Sequence, residues 1–493
     1  MDFLDPRKRR AHSIRLMIGY GLVAIAIVLG GWLLLKAASG YGVDTKTGDI
    51  VQNGLLFVDS KPGGAAIYLN DKAQGSTTSA RLVLPAGKYK LTLKKDGYRT
   101  WERTITLNEG KIARYVYPFL FPLESQIQSL KIYSQTPPLI TQSPDRRWLL
   151  VQSPDSSNGK ITFDEYDTAD LDKTPETLVL PSGLLSSTAG STLKEVEWST
   201  DNKHVLLWHT YEGGSEFFIF NRDSPAESTN INKLFGVSPT EVALRNKKID
   251  QLYIFIQESG DLQVADTASS QLAPLLKNVL AFKPSGANLI SYVTQQNAPS
   301  DQVTTRIWDG NQSYSLYSFK AGSQYLIDEA QFQGHWYYVA GSDADERVNI
   351  YKDPLNSLRD PSIAKAVPVL SLNIKGASKV SFSANTRFIA AEAGQSLAVY
   401  DLETQDIYPY SLNDPISTEL RWMDGHRLIG SSQGQVFVSD YDATNQHLLV
   451  PTNNPRGGFF DRDYKYLLTT LAASDGRVTL QIVDLRAGVD LPR

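Results

Sequence analysis

Ile140–Val151 reads ITQSPDRRWLLV: an apolar start, a Ser-Pro-Asp turn, then a short apolar strand. The same arrangement recurs at Val196–Trp208 (VEWSTDNKHVLLW), Val279–Tyr292 (VLAFKPSGANLISY), Ala330–Val339 (AQFQGHWYYV), Val380–Ala390 (VSFSANTRFIA), Leu420–Ile429 (LRWMDGHRLI) and Gly458–Leu468 (GFFDRDYKYLL). A degenerate copy fits Val242–Ile256. Short strands punctuated by Ser, Asp, Asn and Gly turns point to repeated antiparallel β-units, not to helices. Several copies continue into a strand closed by an Asp-headed turn, as in Ala398-Val399-Tyr400-Asp401-Leu402-Glu403-Thr404 and Gln481-Ile482-Val483-Asp484-Leu485. An aromatic stands at one fixed point of the unit: Trp198, Phe282, Phe332, Phe382, Trp422 and Phe459. A single such unit cannot bury both of its faces, so neighbouring units must stack, with these rings between them.

The repeat resembles the WD40-like and TolB-like β-propeller repeats. That resemblance implies one four-stranded blade per copy over residues 136–493, with eight blades expected and seven if the degenerate copy belongs to a neighbour.

Residues 54–117 form a different unit. Leu55–Val58, Ala65–Leu69, Arg81–Leu84, Tyr89–Leu93 and Thr100–Leu107 read as strands between Pro/Gly/Asp turns. Ser60-x-Pro62-Gly63-Gly64-Ala65-x-Ile67-Tyr68-Leu69, Gly75-x-Thr77, Leu84-Pro85-Ala86-Gly87-x-Tyr89 and Gly97-Tyr98-x-x-Trp101 together resemble a PEGA domain, a small β-sandwich of envelope proteins. Gly63 departs from that pattern where Glu is usual, and Thr78 where Pro usually follows the Thr. The resemblance implies turn glycines and core aromatics, and no catalytic residues. Residues 118–135 read as a bridge, and the run Tyr115–Pro122 that leads into it is hydrophobic enough to pack between the two folded parts.

At the other end, Met17–Leu35 (MIGYGLVAIAIVLGGWLLL) has no charge and no proline. At about 1.5 Å rise per residue it reaches across a bilayer's hydrocarbon core. Arg7, Lys8, Arg9, Arg10 and Arg15 precede it, so the positive-inside rule keeps residues 1–16 cytoplasmic and carries the rest outside. The rival is a cleaved signal peptide with Ala37-Ala38-Ser39 as its site, but signal h-regions are shorter, about 7–15 residues. Tyr20 and Trp32 suit the interfacial belts. Residues 36–53 form a short polar linker. The expected fold is therefore all-β apart from one transmembrane helix: anchor, PEGA-like sandwich, propeller.

There is no cysteine among 493 residues, which excludes disulfides, thiolate metal sites and cysteine nucleophiles. The net charge of −4 hides a division: the tail to Arg15 carries +3, residues 54–110 carry +4, and the portion from Glu124 onward about −13. Lys88, Lys90 and Lys94 alternate with Tyr89, Leu91 and Leu93, placing three cations on one strand face. They either protect a strand edge from pairing or contact an anionic lipid or wall polymer.

Gly430-Ser431-Ser432-Gln433-Gly434 matches the G-x-S-x-G pattern, but a strand follows it where a nucleophile elbow needs a helix. The six histidines make no ligand pair at helical spacing, and His204 and His209 sit at unlike parity. Asp164, Glu165, Asp167, Asp170 and Asp172 read as a solvated blade edge without the glycine and Glu of a calcium loop, and Asp343, Asp345 and Glu346 read alike. No catalytic residue, cofactor or metal site is expected. The expected partners are the bilayer and an envelope protein or glycan, with no nucleic acid. The expectation is a binding or scaffolding protein; its rival is a propeller enzyme using channel carboxylates on glycan or peptide.

Overall fold

The computed structural model describes residues 6–38, 40–43, 50–155, 160–360, 362–363, 365–412, 415–416 and 420–486. Residues 1–5, linker residues 44–49 and Ser39 of the possible cleavage site lie outside the described residues. The chain divides into two compact units, residues 1–124 with 487–493, and residues 125–486.

The first unit begins with a helix, Pro6–Ala38, longer at both ends than the apolar run that nucleates it. Its stretch His12–Lys36 is long and apolar enough to cross a membrane, and side chains such as Met17, Val28 and Leu34 are exposed. Two four-stranded sheets follow. One contains Tyr41–Val43, Ile50–Val58, Ala80–Pro85 and Ile112–Tyr115, the last parallel to Ile50–Val58. The other has the order Lys72–Thr77, Ala66–Leu69, Gly87–Lys94, Trp101–Leu107. Their apolar faces enclose Leu56, Ile67, Leu91, Leu93, Trp101 and Ile105. Thr78, where the PEGA pattern departs, is buried; its Oγ1 accepts from the Ala65 N–H (3.0 Å) and lies 2.7 Å from Ser60 Oγ, so the hydroxyl clasps the Ser60–Ala65 turn.

The second unit is a β-propeller. Among the described residues it holds eight four-stranded antiparallel sheets, the first seven each a meander in chain order. They span 140–179, 192–230, 241–276, 279–320, 325–373, 379–411, 421–451 and 459–484, and the last is completed by Gln126–Tyr133. The degenerate copy supplies the first two strands of a sheet of its own, Glu241–Leu244 and Gln251–Ile256.

One turn chemistry explains the repeats. In the first sheet the Ser143 N–H bonds to Trp148 O, the Ser143 hydroxyl to Asp145, and the Arg147 N–H to Asp145 Oδ1, with Arg146 at φ 62°. Ser199–His204, Ser383–Phe388 and Asp461–Tyr466 close in the same way, with Asn202, Thr386 and Tyr464 in the left-handed region. In these four sheets the sequence pattern is thus the signature of the hairpin joining the first two strands. First strands of successive sheets lie against one another, so they form the inner wall. Apolar clusters join neighbouring sheets: Trp198 packs with Leu139 and Phe163, Phe282 with Tyr253 and Phe255, and Phe332 and Phe382 with Val339 and Ile389. Between the seventh and eighth sheets the approach is so close that a Cβ on Gly457, at φ 77°, would lie 2.4 Å from Gly430 O.

The bridge expected over 118–135 does not exist as one piece. Phe119, Leu120 and Phe121 are buried in the first unit, where Lys61 and Phe119 form a bridge pair. Gln126–Tyr133 pairs with Val478–Asp484, closing the ring with a strand from the opposite end of the chain. The apolar run packs on its own domain because that sandwich leaves Leu120 a place in its core. The linker, too, is partly structured, since Tyr41–Val43 pairs with Ile50–Gln52.

Candidate functional site

The lysines singled out from the sequence do share a face. Lys88, Lys90 and Lys94 are exposed along Gly87–Lys94, whose other face buries Leu91 and Leu93. The strand is interior to its sheet, hydrogen-bonded to Ala66–Leu69 and Trp101–Leu107, so edge protection does not account for them. Lys90 is engaged by Glu102 (3.1 Å) and Asp71 (3.7 Å), and its hydrogen bond to Glu102 raises its pKa. Lys94 lies over the Tyr68 ring at 5.0 Å.

The acidic cluster is a solvated edge only at Asp170 and Asp172, which are exposed. Asp164 is buried and receives Lys131 (2.7 Å) and the Tyr133 hydroxyl (2.8 Å), and Tyr133 also meets Tyr166 (3.1 Å). These contacts tie the closing strand to the first sheet. Glu165 is buried against Arg222 (3.0 Å), which stacks over Trp148. Asp167 takes Arg147, whose hydrogen bond holds the carboxyl below its ordinary range. Strand alternation puts Asp164 and Glu165 on opposite faces of their sheet, both covered, where Lys131 meets the first and Arg222 the second.

One arrangement escaped the sequence reading. Ser191 Oγ lies 2.8 Å from His209 Nε2, and His209 Nδ1 lies 2.9 Å from Glu216 Oε1. The Ser186 N–H and hydroxyl and the Asn230 amide also bond Glu216. Burial raises the Glu216 pKa, but these donors outweigh it and hold the group low. The order is that of a nucleophilic triad. However, His209 is completely enclosed, so its Nε2 reaches no leaving group beyond Ser191. With Asn230 also donating to Leu184 O, the chain tethers the loop over 184–191 to the second sheet. Ser432 is enclosed as well: its hydroxyl bonds to Pro415 O (3.1 Å), and the strand Gln435–Asp440 follows through a turn at Gln433 and Gly434.

The inner wall carries charges in pairs. Glu195 meets Arg456 (3.2 Å) beside a cavity of about 310 Å³, Glu197 meets Lys247, and Lys283 meets Asp328 (3.7 Å). Glu241 is open to solvent yet ringed by protein; this surrounding raises its pKa, against Lys283. Asp328 is raised by burial likewise. Among the described residues no group of three or more His, Asp or Glu is placed to hold a metal ion.

The larger cavity, about 460 Å³, lies between the fourth and fifth sheets. Its walls are the turn 285–289, Asp309, Trp336 and Tyr338 from the strand His335–Ser342, and the loop after Lys352. Asp309 Oδ1 accepts from the N–H groups of Asn311 (3.1 Å) and Gln312 (3.2 Å), and Oδ2 accepts from Arg359 (3.0 Å). Burial opposes these contacts, yet they keep Asp309 below its ordinary range. Asp353 accepts from the Trp336 N–H (2.8 Å) and meets His335 (2.5 Å). The Tyr338 hydroxyl differs: it is enclosed and has no partner among the described residues. Behind it, Glu329 pairs in register with Tyr338, and Tyr338 with Tyr351. The Tyr351 hydroxyl is likewise enclosed without a partner among the described residues, and Ser291 across the seam stands beside Glu329, its hydroxyl and N–H lowering that carboxyl without offsetting its burial. Burial, helped by Asp328, pushes Glu329 up to about 8.

A PEGA domain family model matches residues 53–118, so the chain carries that domain. No curated protein matches the chain. Solved structures similar to it include dihydro-heme d1 dehydrogenase NirN in complex with DHE, at 14% identity and TM-score 0.42 over 65% of this chain and 67% of that one. Oligogalacturonate lyase in complex with manganese is similar at 10% identity and TM-score 0.39, over 73% and 98% of the two chains. The uncharacterized protein lmo1340 from Listeria monocytogenes EGD-e is similar at 14% identity and TM-score 0.38, over 68% and 93%. Likenesses this distant carry no argument about activity; the propeller assignment rests on the sheets themselves.

Proposed function

We propose that this is a single-pass protein of the cell envelope, N-terminus in the cytoplasm, whose PEGA domain and propeller stand outside, and that the propeller binds a protein or glycan partner. The apolar helix behind a basic tail supports the topology. One observation carries the binding role: a cavity of about 460 Å³ between the fourth and fifth sheets, with Trp336 in its wall and its charged groups Asp309 and Arg359, and Asp353 and His335, matched to each other. Its volume is that of a small-ligand site. Protease added to intact spheroplasts is expected to digest the propeller and spare the tail; digestion only after lysis contradicts the topology. Capture from solubilised membranes is expected to lose its partner on Trp336→Ala, and a partner retained by that variant contradicts the site.

Lys88 and Lys94, with Lys90 partly spent on Glu102, are the proposed contact with an anionic surface. Co-sedimentation of residues 54–124 with anionic vesicles is expected to weaken with salt, and to fall more on Lys88→Gln with Lys94→Gln than on Lys90→Gln.

A second reading, a propeller enzyme acting on glycan or peptide through channel carboxylates, draws on Glu241 and Asp328, both raised and both facing Lys283. Turnover abolished by Glu241→Gln in a folded protein would favour it over binding alone.

A further inference from the structure

Each sheet of the PEGA unit buries one face, and one of the two outer faces is both apolar and cationic. Leu56 and Val58 point into the core, so Leu55 and Phe57 point out. Register sets their neighbours. Val83, Leu55 and Ile112 form one row across three strands, and Arg81, Phe57 and Arg114 form the next. Val83 is 59% exposed and Ile112 54%, with Val116 beyond them at 56%, so the face presents aliphatic side chains to solvent. Arg114 lies over the Phe57 ring at 5.4 Å, and neither arginine forms an ion pair among the described residues. Asp59, just past the end of the central strand, accepts from the Ser60 N–H (2.8 Å) and the Ser79 hydroxyl (2.6 Å).

The place of this sheet in the chain says what lies near it. Its strand Tyr41–Val43 is paired with Ile50–Gln52, and the apolar helix ends at Ala38. The gap from Ala38 to Tyr41 spans about 10 Å at most, close to the Debye length of about 8 Å at physiological salt. We infer that this face rests on the bilayer that holds the helix, with Val83, Ile112 and Val116 in the headgroup region and Arg81 and Arg114 on lipid phosphates. Aliphatic side chains supply insertion and the cations supply attraction to anionic lipid, the two contributions that hold an interfacial element. A guanidinium fork also matches phosphate in geometry. Lys88, Lys90 and Lys94 stand on the outer face of the other sheet, so a flat bilayer meets one set or the other. On that face Lys90 is already engaged by Glu102 and Asp71. In the anchored chain the lysines are left for an anionic polymer beyond the membrane. The inference rests on the membrane anchor proposed above.

The chain has no cysteine, so single labels can be placed cleanly. The full chain is reconstituted into vesicles containing phosphatidylglycerol, carrying an environment-sensitive fluorophore on Val83→Cys, Ile112→Cys, Lys88→Cys or Leu34→Cys, and is challenged with doxyl-labelled lipid. The Val83 and Ile112 labels are expected to shift to the blue and to be quenched, and the Lys88 label to do neither. Arg81→Gln with Arg114→Gln is expected to weaken quenching at Ile112 in these vesicles but not in zwitterionic ones, with the thermal midpoint of the parent. Quenching unchanged by those substitutions overturns the phosphate contact. No quenching at Val83 and Ile112, or equal quenching at Lys88, overturns the inference. A blue shift there without quenching would show that protein, a second copy or the chain's own propeller, covers the face, and refutes the lipid. The Leu34 label separates the premises. If it is quenched while Val83 and Ile112 are not, the anchor stands and the face falls; if it is not quenched, the anchor falls and the inference with it.

Discussion

Two seams of the propeller treat buried polar groups in opposite ways. Where the eighth sheet meets the first, Asp164 is enclosed but receives Lys131, Tyr133 and Thr177, and Tyr133 meets Tyr166. Where the fourth meets the fifth, the Tyr338 and Tyr351 hydroxyls lie in the core with no partner among the described residues, and the enclosed Glu329 has only Ser291 to offset its burial. The first pattern is how a ring is locked: each group taken from water recovers its hydrogen bonds within the protein. The second spends stability, and a cavity stands beside it. The difference separates a fully satisfied seam from a partly satisfied one.

The largest effect is expected at the closing seam. Asp164→Ala leaves Lys131 and the Tyr133 hydroxyl without their acceptor and is expected to cost roughly 2–4 kcal/mol, read as a lowered unfolding midpoint of the propeller. An unchanged midpoint would mean that the seam is held by its apolar cluster alone. Next comes the tether on the second sheet. Glu216→Gln is expected to cost roughly 1–3 kcal/mol, and a serine-reactive fluorophosphonate is expected to label neither Ser191 nor Ser432; covalent labelling of Ser191 would turn the tether into a nucleophile.

The open seam makes its own prediction about pH. Glu329 is pushed up to about 8 in the folded chain, against roughly 4.3 in the unfolded one. Between those values the native state holds a proton that the unfolded state has released, so stability falls as pH rises through the window and levels off above it. Glu329→Gln is expected to flatten that dependence. An unfolding midpoint with the same pH slope in both proteins would place the titration elsewhere. Smallest of all, Ser432→Ala removes one hydrogen bond to Pro415 O and is expected to cost less than about 1 kcal/mol, with any binding unaltered.

The uneven legibility of the sequence has a physical source. The hairpin turns are local, and Ser143-Pro144-Asp145 and its copies carry their hydrogen bonds within a few residues, so the repeats could be read directly. The closing strand could not: Gln126–Tyr133 has no turn signature, and its partner Val478–Asp484 lies at the far end of the chain. The acidic cluster was misread because alternation sends Asp164 and Glu165 into different surroundings, a matter of which cations lie opposite. The cavity left one trace. The fifth sheet joins its last two strands through residues 353–369, whereas 309–312 and 402–406 serve in the fourth and sixth. A long connection in a repeat of short ones is the one local irregularity beside the cavity, whose wall it partly forms. Glu329, Tyr338 and Tyr351, by contrast, meet only through cross-strand register.

The most direct measurement compares two conservative substitutions in ligand-free protein, Tyr133→Phe and Tyr338→Phe, each removing one buried hydroxyl and little else. Thermal or urea unfolding is expected to show Tyr133→Phe destabilised by about 1–3 kcal/mol, since its hydroxyl bonds to a charged acceptor. Tyr338→Phe is expected to be as stable as the parent or more so, since its hydroxyl is unmatched. Equal losses at the two positions, or a larger loss at Tyr338, would show that its hydroxyl is already satisfied within the fold, and would contradict the contrast between the two seams.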